Sequence, residues 1–286
     1  MLKVFIALST LNRKTITKLC LENISAIIKK DGSTKLAIYD DASTSYDENF
    51  LNQYSKDVLR FRITGGIERS RARSFRDFLY IHTDYDLFYM TDNDTIHDPN
   101  FLNTLRNIYD ASSTSFEKKL PIGLYNSVFH SDPKNIVYEN DVLSVRKTCP
   151  GVSQCYDRTM IAQMVDFIDK NPEYETRYGF DYHWPASLGV PFIQTKVSYL
   201  EHFARDKNEK GIHSTFNIDD PMKDFDRDRA VLPTPYLEKI RDEKREVTIS
   251  ESVNKSILVH NYKFNIENTG NVEYIDSYTD YLSELE

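Results

Sequence analysis

Short apolar runs alternate with helical periodicity through the first hundred residues. Lys3-Val-Phe-Ile-Ala-Leu-Ser9 is an apolar run of buried-strand length. After it Ile16, Leu19, Cys20, Asn23, Ile24, Ile27 and Ile28 mostly recur at three- and four-residue steps, which predicts a helix with one buried face. Further strands are predicted over 35–39, over 58–63, where Gly65-Gly66 closes the run, and over 86–90. A helix over 67–81 separates the last two. This rhythm predicts an α/β fold whose mostly parallel sheet is covered on both faces. Ligands of such sheets bind beyond the carboxyl ends of the strands. Three polar clusters fall there: Ser9-Thr10-Leu11-Asn12-Arg13, Asp40-Asp41 and Asp92-Asn93-Asp94.

The middle of the chain is less regular. Residues 120–128 and 135–145 read as strands, with a hairpin as one arrangement, and Pro150-Gly151 breaks the chain. Asp157 is placed to cap a helix carrying Met160, Ile161, Met164, Val165 and Ile168, which Asn171-Pro172 ends. A short helix over 181–188 and a strand over 197–200 follow. From Arg205 the composition turns to mixed charge, and there is no internal repeat or low-complexity tract. These shifts predict a domain over 1–215, with a donor half (1–95) and an acceptor half (96–215), and a C-terminal extension over 216–286.

Composition narrows the classes. Of 286 residues 40% are hydrophobic and 28% charged, enough for a sizeable core. The net charge of −8 argues against a nucleic-acid partner, which needs a concentrated positive face. No apolar stretch is long enough to span a membrane, and the run over 4–8 is too short for a signal peptide's core. Three cysteines (Cys20, Cys149, Cys155) cannot form a disulfide framework and suit a reducing compartment. The expected location is cytoplasmic, in a bacterium or in a virus's host. Peripheral membrane association stays open.

Candidate chemistry centres on Thr91-Asp92-Asn93-Asp94. Two carboxylates on a turn at a strand end can face one hard cation, which prefers oxygen ligands; an Asx-rich turn is the equal alternative. Asp40-Asp41 can accept from a ribose hydroxyl or a base edge, or simply cap a helix. Arg69, Arg71, Arg73 and Arg76 form the densest positive cluster. Of these, 69, 73 and 76 share a helical face, and Arg71 points elsewhere.

In order, these segments resemble the family 2 glycosyltransferases of the GT-A fold. The matching segments are Phe5-Ile-Ala-Leu-Ser-Thr-Leu-Asn-Arg13, Tyr39-Asp-Asp-Ala-Ser-Thr44, Thr64-Gly-Gly-Ile-Glu-Arg-Ser-Arg71 and Tyr89-Met-Thr-Asp-Asn-Asp94. The resemblance implies a Rossmann-like nucleotide-diphospho-sugar transferase. It would be inverting and dependent on Mn²⁺ or Mg²⁺, moving a sugar from a nucleotide-sugar donor, expected to be UDP-linked, to a saccharide or other hydroxyl acceptor. Thr10, Asn12, Arg13, Asp41, Arg71 and Asp92 are then expected on the donor nucleotide, and Asp92 and Asp94 on the metal. Tyr178-Gly-Phe-Asp-Tyr-His-Trp184 is the best match to the segment bearing the family's catalytic base, which makes Asp181 the base, although Phe180 stands where the family has glutamate. Tyr182 and Trp184 offer stacking surfaces for an acceptor sugar. Among the histidines, the resemblance makes His202 a further metal ligand and His213 a contact on a lid over the donor; His97 and His183 are weaker. The rivals are a haloacid-dehalogenase-like phosphatase, a non-catalytic sugar-binding module and, less well matched, a nucleotidyltransferase.

Overall fold

The computed structural model describes residues 1–115, 119–126, 133–176, 179–202 and 234–237. Its centre is β1 (Val4–Thr10), buried at every residue. β1 pairs in parallel with β2 (Thr34–Asp40) on one side and with β4 (Leu87–Asp92) on the other. β2 in turn pairs in parallel with β3 (Asp57–Arg60). A strand buried on both faces has no solvent side to alternate with, hence its continuous apolar run.

The side-chain alternation instead assigns β1 to two cores. Val4, Ile6 and Leu8 pack with Cys20, Leu21 and Ile24 of α1 (Lys14–Asp31) and with Phe101, Leu105 and Ile108 of α4 (Phe101–Ser115). Phe5 and Ala7 face the opposite way. They join Ala72, Phe75 and Phe78 of α3 (Ile67–Tyr80) and the apolar stripe of α5 (Arg158–Lys170). The helix-covered parallel sheet follows from this division. A short α2 (Glu48–Asn52), capped by Asp47, fills the link between β2 and β3.

Beyond β4 the sheet continues in the order β9 (Ser153–Asp157), β6 (Ile122–Gly123), β10 (Phe192–Thr195), β8 (Leu143–Arg146) and β7 (Ile136–Glu139). Only β8 and β9 run against the rest, so the nine-stranded sheet is mostly parallel in direction. A separate antiparallel pair joins β5 (Thr95–His97) to β11 (Leu200–His202).

Several expectations change in detail. The third strand ends at Arg60 rather than at 63, and the fourth runs on to Asp92. The hairpin lies within 135–146, as β7 and β8, while the strand over 120–128 contracts to two residues, with 127 and 128 outside the described residues. β9 and β10 were not expected at all. Asp157 does cap α5, accepting from Met160 N at 2.9 Å. The short helix over 181–188 becomes α6 (His183–Ala186).

Of the C-terminal extension only residues 234–237 are described. There Leu237 packs against Ile16 and Ile96, and Thr234 N donates to Ser198 O. No helix among the described residues is long and apolar enough to cross a membrane.

Candidate active site

Parallel pairing puts the polar clusters at one edge. Thr10 stands opposite Asp40, and Ser9 opposite Asp92. The loops leaving β1 and β2 hold three non-glycine residues at positive φ: Asn12 and Arg13 at 54° and Ala42 at 65°. Each left-handed residue of this kind costs about 1–2 kcal/mol, and such strain gathers at functional sites. Asn12 stitches the two loops together. Its Oδ1 accepts from Thr44 N at 2.8 Å and Ser45 N at 3.2 Å, and its own N–H donates to Ser43 Oγ at 2.7 Å. Thr10 bonds the Tyr46 hydroxyl. Both therefore shape the loops that were expected to meet the donor.

Asp41 is held by the chain that follows β3. It accepts from Gly65 N, Gly66 N and Arg69 Nη2, each at 2.9 Å. Gly66 caps α3 at φ 90°, a backbone conformation that requires glycine. Arg69 is also stacked 4.3 Å over the Phe61 ring.

Arg71 is fully buried. It donates to Ala7 O at 3.0 Å, Thr91 O at 2.8 Å and Asp92 Oδ1 at 2.5 Å. Its place is thus behind Asp92, clamping two strand ends and one carboxylate. Burial raises the Asp92 pKa, which Arg71 opposes and Asp94 reinforces. Two residues on, Asp94 takes Arg13 Nη1 at 2.9 Å, while Arg13 Nη2 reaches Asn93 Oδ1 at 2.8 Å. The pairing of β5 with β11 sets His202 opposite Thr95 and brings its Nε2 to 3.1 Å from Asp94 Oδ1. Burial alone would raise Asp94; His202 and Arg13 outweigh it and hold the carboxyl well below the usual range.

Asp94 Oδ1 and His202 Nε2 are 3.1 Å apart and pair with each other as they stand; a divalent ion bound here would replace that contact and take the carboxylate and the imidazole as ligands. No three acidic, histidine or cysteine side chains among the described residues form a ready metal cluster. The remaining positions would fall to water and substrate oxygens, as is usual where protein supplies one or two carboxylates. His97 lies elsewhere: it is buried beside Tyr89, and desolvation pushes its pKa down to about 3. His213 lies outside the described residues.

Asp181 follows Phe180, whose ring centre lies 5.7 Å from the Arg71 guanidinium that holds Asp92. It does not cap α6, whose N-cap is Tyr182 without a side-chain bond. Burial raises its pKa, and the Asp92 charge adds to this. Gly151 makes room for it: a Cβ built there would stand 2.5 Å from Asp181 Cβ and 3.0 Å from the Phe180 ring. A small cavity opens beside Asp181, walled by Lys147, Thr148, Tyr182, Pro185 and Phe192. Tyr182 lines this cavity. Trp184 does not: it is fully buried against Phe75 and Phe180 and presents no face to a ligand. The apolar pattern that suggested a stacking ring had marked a core ring. Glu68, in the first turn of α3, is a carboxylate the sequence motifs passed over. It is buried, and the Asp181 charge bears on it.

Against solved structures the chain is similar to S. aureus TarS. For TarS 1-349 in complex with UDP-GlcNAc the TM-score is 0.50 at 12% identity, over 70% of this chain and 58% of that one. For the longer TarS structure it is 0.50 at 13% identity, over 70% and 36%. The fold is GT-A. The chain spans less than two thirds of either TarS chain's length. A mannosyltransferase from Pyrobaculum calidifontis, PcManGT, solved with GDP-Man and Mn2+, aligns at a TM-score of 0.49 and 13% identity, over 67% of this chain and 54% of that one. No protein-family profile matches the sequence, and no curated protein does.

Proposed function

We propose that the protein is a metal-dependent, inverting GT-A glycosyltransferase that transfers a sugar from a nucleotide-sugar donor, with UDP the favoured carrier, to a hydroxyl acceptor such as a glycan. The observation that carries this is Arg71, which binds Asp92 at the end of β4 and lies 5.7 Å from the ring of Phe180, the neighbour of Asp181, so that the strand-end carboxylates and a carboxylate bordering a cavity share one edge. Displacement at an anomeric carbon needs that division: charge stabilisation on the leaving side and a base on the acceptor side. TarS, on the same fold, is known bound to UDP-GlcNAc, which supports the choice of donor.

Asp94 and His202 would hold the ion, with Asp92 facing the same donor; a bound Mn²⁺ or Mg²⁺ would neutralise the diphosphate's charge. Arg71 fixes Asp92 from behind. Asp41 orders the turn before α3 through Gly65 and Gly66, at the edge where the nucleotide would lie. Asp181 removes the proton from the acceptor hydroxyl, its basicity raised by burial. Tyr182, on the cavity wall, offers a stacking face to the acceptor. The phosphatase alternative would need a free aspartate nucleophile, whereas Asp92 is bound to Arg71 at 2.5 Å. Three free, buried cysteines support a cytoplasmic location.

A thermal-shift panel of nucleotide sugars, each with Mn²⁺ and with EDTA, tests the proposal, because a ligand that binds only the folded state raises Tm. The expected result is a metal-dependent rise with a UDP-sugar that Asp94→Asn abolishes. No shift with any donor in either condition would sink it.

A further inference from the structure

The backbone of Asp181 is held from the sheet. Gln154, the second residue of β9, is fully buried. Its Nε2 donates to Cys149 O at 2.8 Å and to Asp181 O at 3.3 Å. One amide thus ties together two chain segments that wall the cavity: Lys147 and Thr148 lead into Cys149, and Asp181 with Tyr182 belongs to the second. Gln154 is itself anchored by strand pairing on both sides, opposite Met90 of β4 and Gly123 of β6. β4 is the strand that ends in Asp92. Through Gln154, the position of Asp181 is referred to the strand that presents the donor-side carboxylates.

The orientation of that amide is fixed by its third partner. A primary amide carries two N–H donors on one side and an acceptor oxygen on the other. Both carbonyl oxygens face Nε2, and Oε1 accepts from Tyr156 OH at 2.6 Å. Reversing the amide would set Oε1 against two carbonyl oxygens, neither of which can donate, so one orientation alone satisfies it. Tyr156 is buried as well, and burial pushes its pKa well above the usual value, so its hydroxyl keeps the proton that it donates. On the same turn, the bare Cα of Gly151 admits Asp181 closely. The segment bearing Asp181 is therefore gripped by hydrogen bond and by packing at adjoining points.

We propose that Gln154 is a positioning residue for Asp181: from a strand paired on both sides it fixes where the base meets the acceptor hydroxyl, and Tyr156 orients its amide. This rests on the proposed role of Asp181 as base. Gln154 is not on the cavity wall and acts only through backbone, on Asp181 O and on the turn that begins at Cys149.

Gln154→Met keeps an unbranched side chain and removes both donors and the acceptor. In transfer assays it should lower kcat by about tenfold or more, with donor KM and the donor-induced Tm rise unmoved. Tyr156→Phe removes only the orienting hydroxyl and should lower kcat in the same direction by less; it also serves as the test if Gln154→Met does not fold. Ile108→Ala, in the core on the other face of the sheet, should lower Tm through its cavity and leave kcat at the wild-type value well below that Tm. In backbone hydrogen exchange of the free protein, Gln154→Met should speed exchange at Tyr182, His183 and Ala186, whose N–H groups bond within the segment, and leave β1 unchanged. Wild-type kcat in both the Gln154 and the Tyr156 variants would overturn the proposal. So would unchanged exchange over 182–186, or an equal fall of kcat in Ile108→Ala. If no donor supports transfer at all, the proposed function fails, while exchange still decides whether Gln154 holds the segment that bears Asp181.

Discussion

Arg106 shows how far single residues depend on partners remote in sequence. From α4 it grips the end of α1 with a two-pronged fork, Nη1 on Asp31 Oδ1 at 2.5 Å and Nη2 on Asp31 Oδ2 at 2.9 Å. It also donates to Leu2 O at 2.9 Å and Thr34 Oγ1 at 3.0 Å. Burial would raise the Asp31 pKa, but the bonds from Arg106, Thr34 and Ser33 win and hold it well below the usual carboxylate range. A depressed carboxylate stabilises the fold above its unfolded pKa, near 3.9, and that share disappears as pH falls through the folded value. Arg106→Ala should lose about 3 kcal/mol at pH 7 by urea denaturation, because it strands a buried charge. The gap between wild type and Asp31→Asn should narrow steadily below about pH 4. An equal gap at pH 3 and pH 7 would remove the ion pair as its source. The same remoteness governs the site: the sequence presents Asp94 as a ligand type, but Arg13 and His202, which set its charge state, arrive from 81 and 108 positions away. Glu68 went unread because nothing in its own neighbourhood marks it as buried.

At the scale of elements, β9 is the instructive case. Ser153-Gln-Cys-Tyr-Asp157 has little apolar periodicity, yet every residue is buried. Its polar groups are satisfied inside the fold: Ser153 Oγ pairs with Tyr89 OH at 2.9 Å, and Gln154 Nε2 donates to Cys149 O at 2.8 Å. Tyr156 OH donates to Gln154 Oε1 at 2.6 Å. A hydrophobicity pattern detects burial only where burial is apolar, so a hydrogen-bonded buried strand escapes it. β1, β2 and β4 were legible for the opposite reason, as apolar runs covered by helices on both faces. The turn before β9 carries its own prediction. Gly151→Ala places a Cβ 2.5 Å from Asp181 Cβ, a distance that forces Asp181 to move. Turnover should fall by about 100-fold, the usual cost of a 1 Å displacement of a reacting group. Tm should change much less, and donor-induced stabilisation should persist. Wild-type turnover in this variant would show that the position of Asp181 does not matter.

Over the whole molecule, the candidate site is assembled from two parts of one sheet. Asp41, Arg71, Asp92 and Asp94 come from the parallel part around β1, while Asp181 and Tyr182 come from the chain between α5 and β10, and the cavity beside them is walled also by Lys147 and Thr148, between β8 and β9, and by Phe192 of β10. Donor binding and acceptor activation should therefore separate on mutation. Asp181→Asn is expected to leave the metal-dependent, donor-induced Tm rise in place while turnover drops by about 100-fold or more, the range of general-base removal. Loss of donor binding together with turnover would mean that Asp181 belongs to the donor side. The parallel strands β1 to β4, the helices α1, α3 and α5 and the order of the polar clusters were set by local pattern: periodicity and strand-end chemistry depend on neighbours in sequence. Which carboxylates carry a counter-ion, and which aromatic ring is wall and which is core, were decided by tertiary structure. Burial and charge pairing depend on distances that sequence separation does not encode.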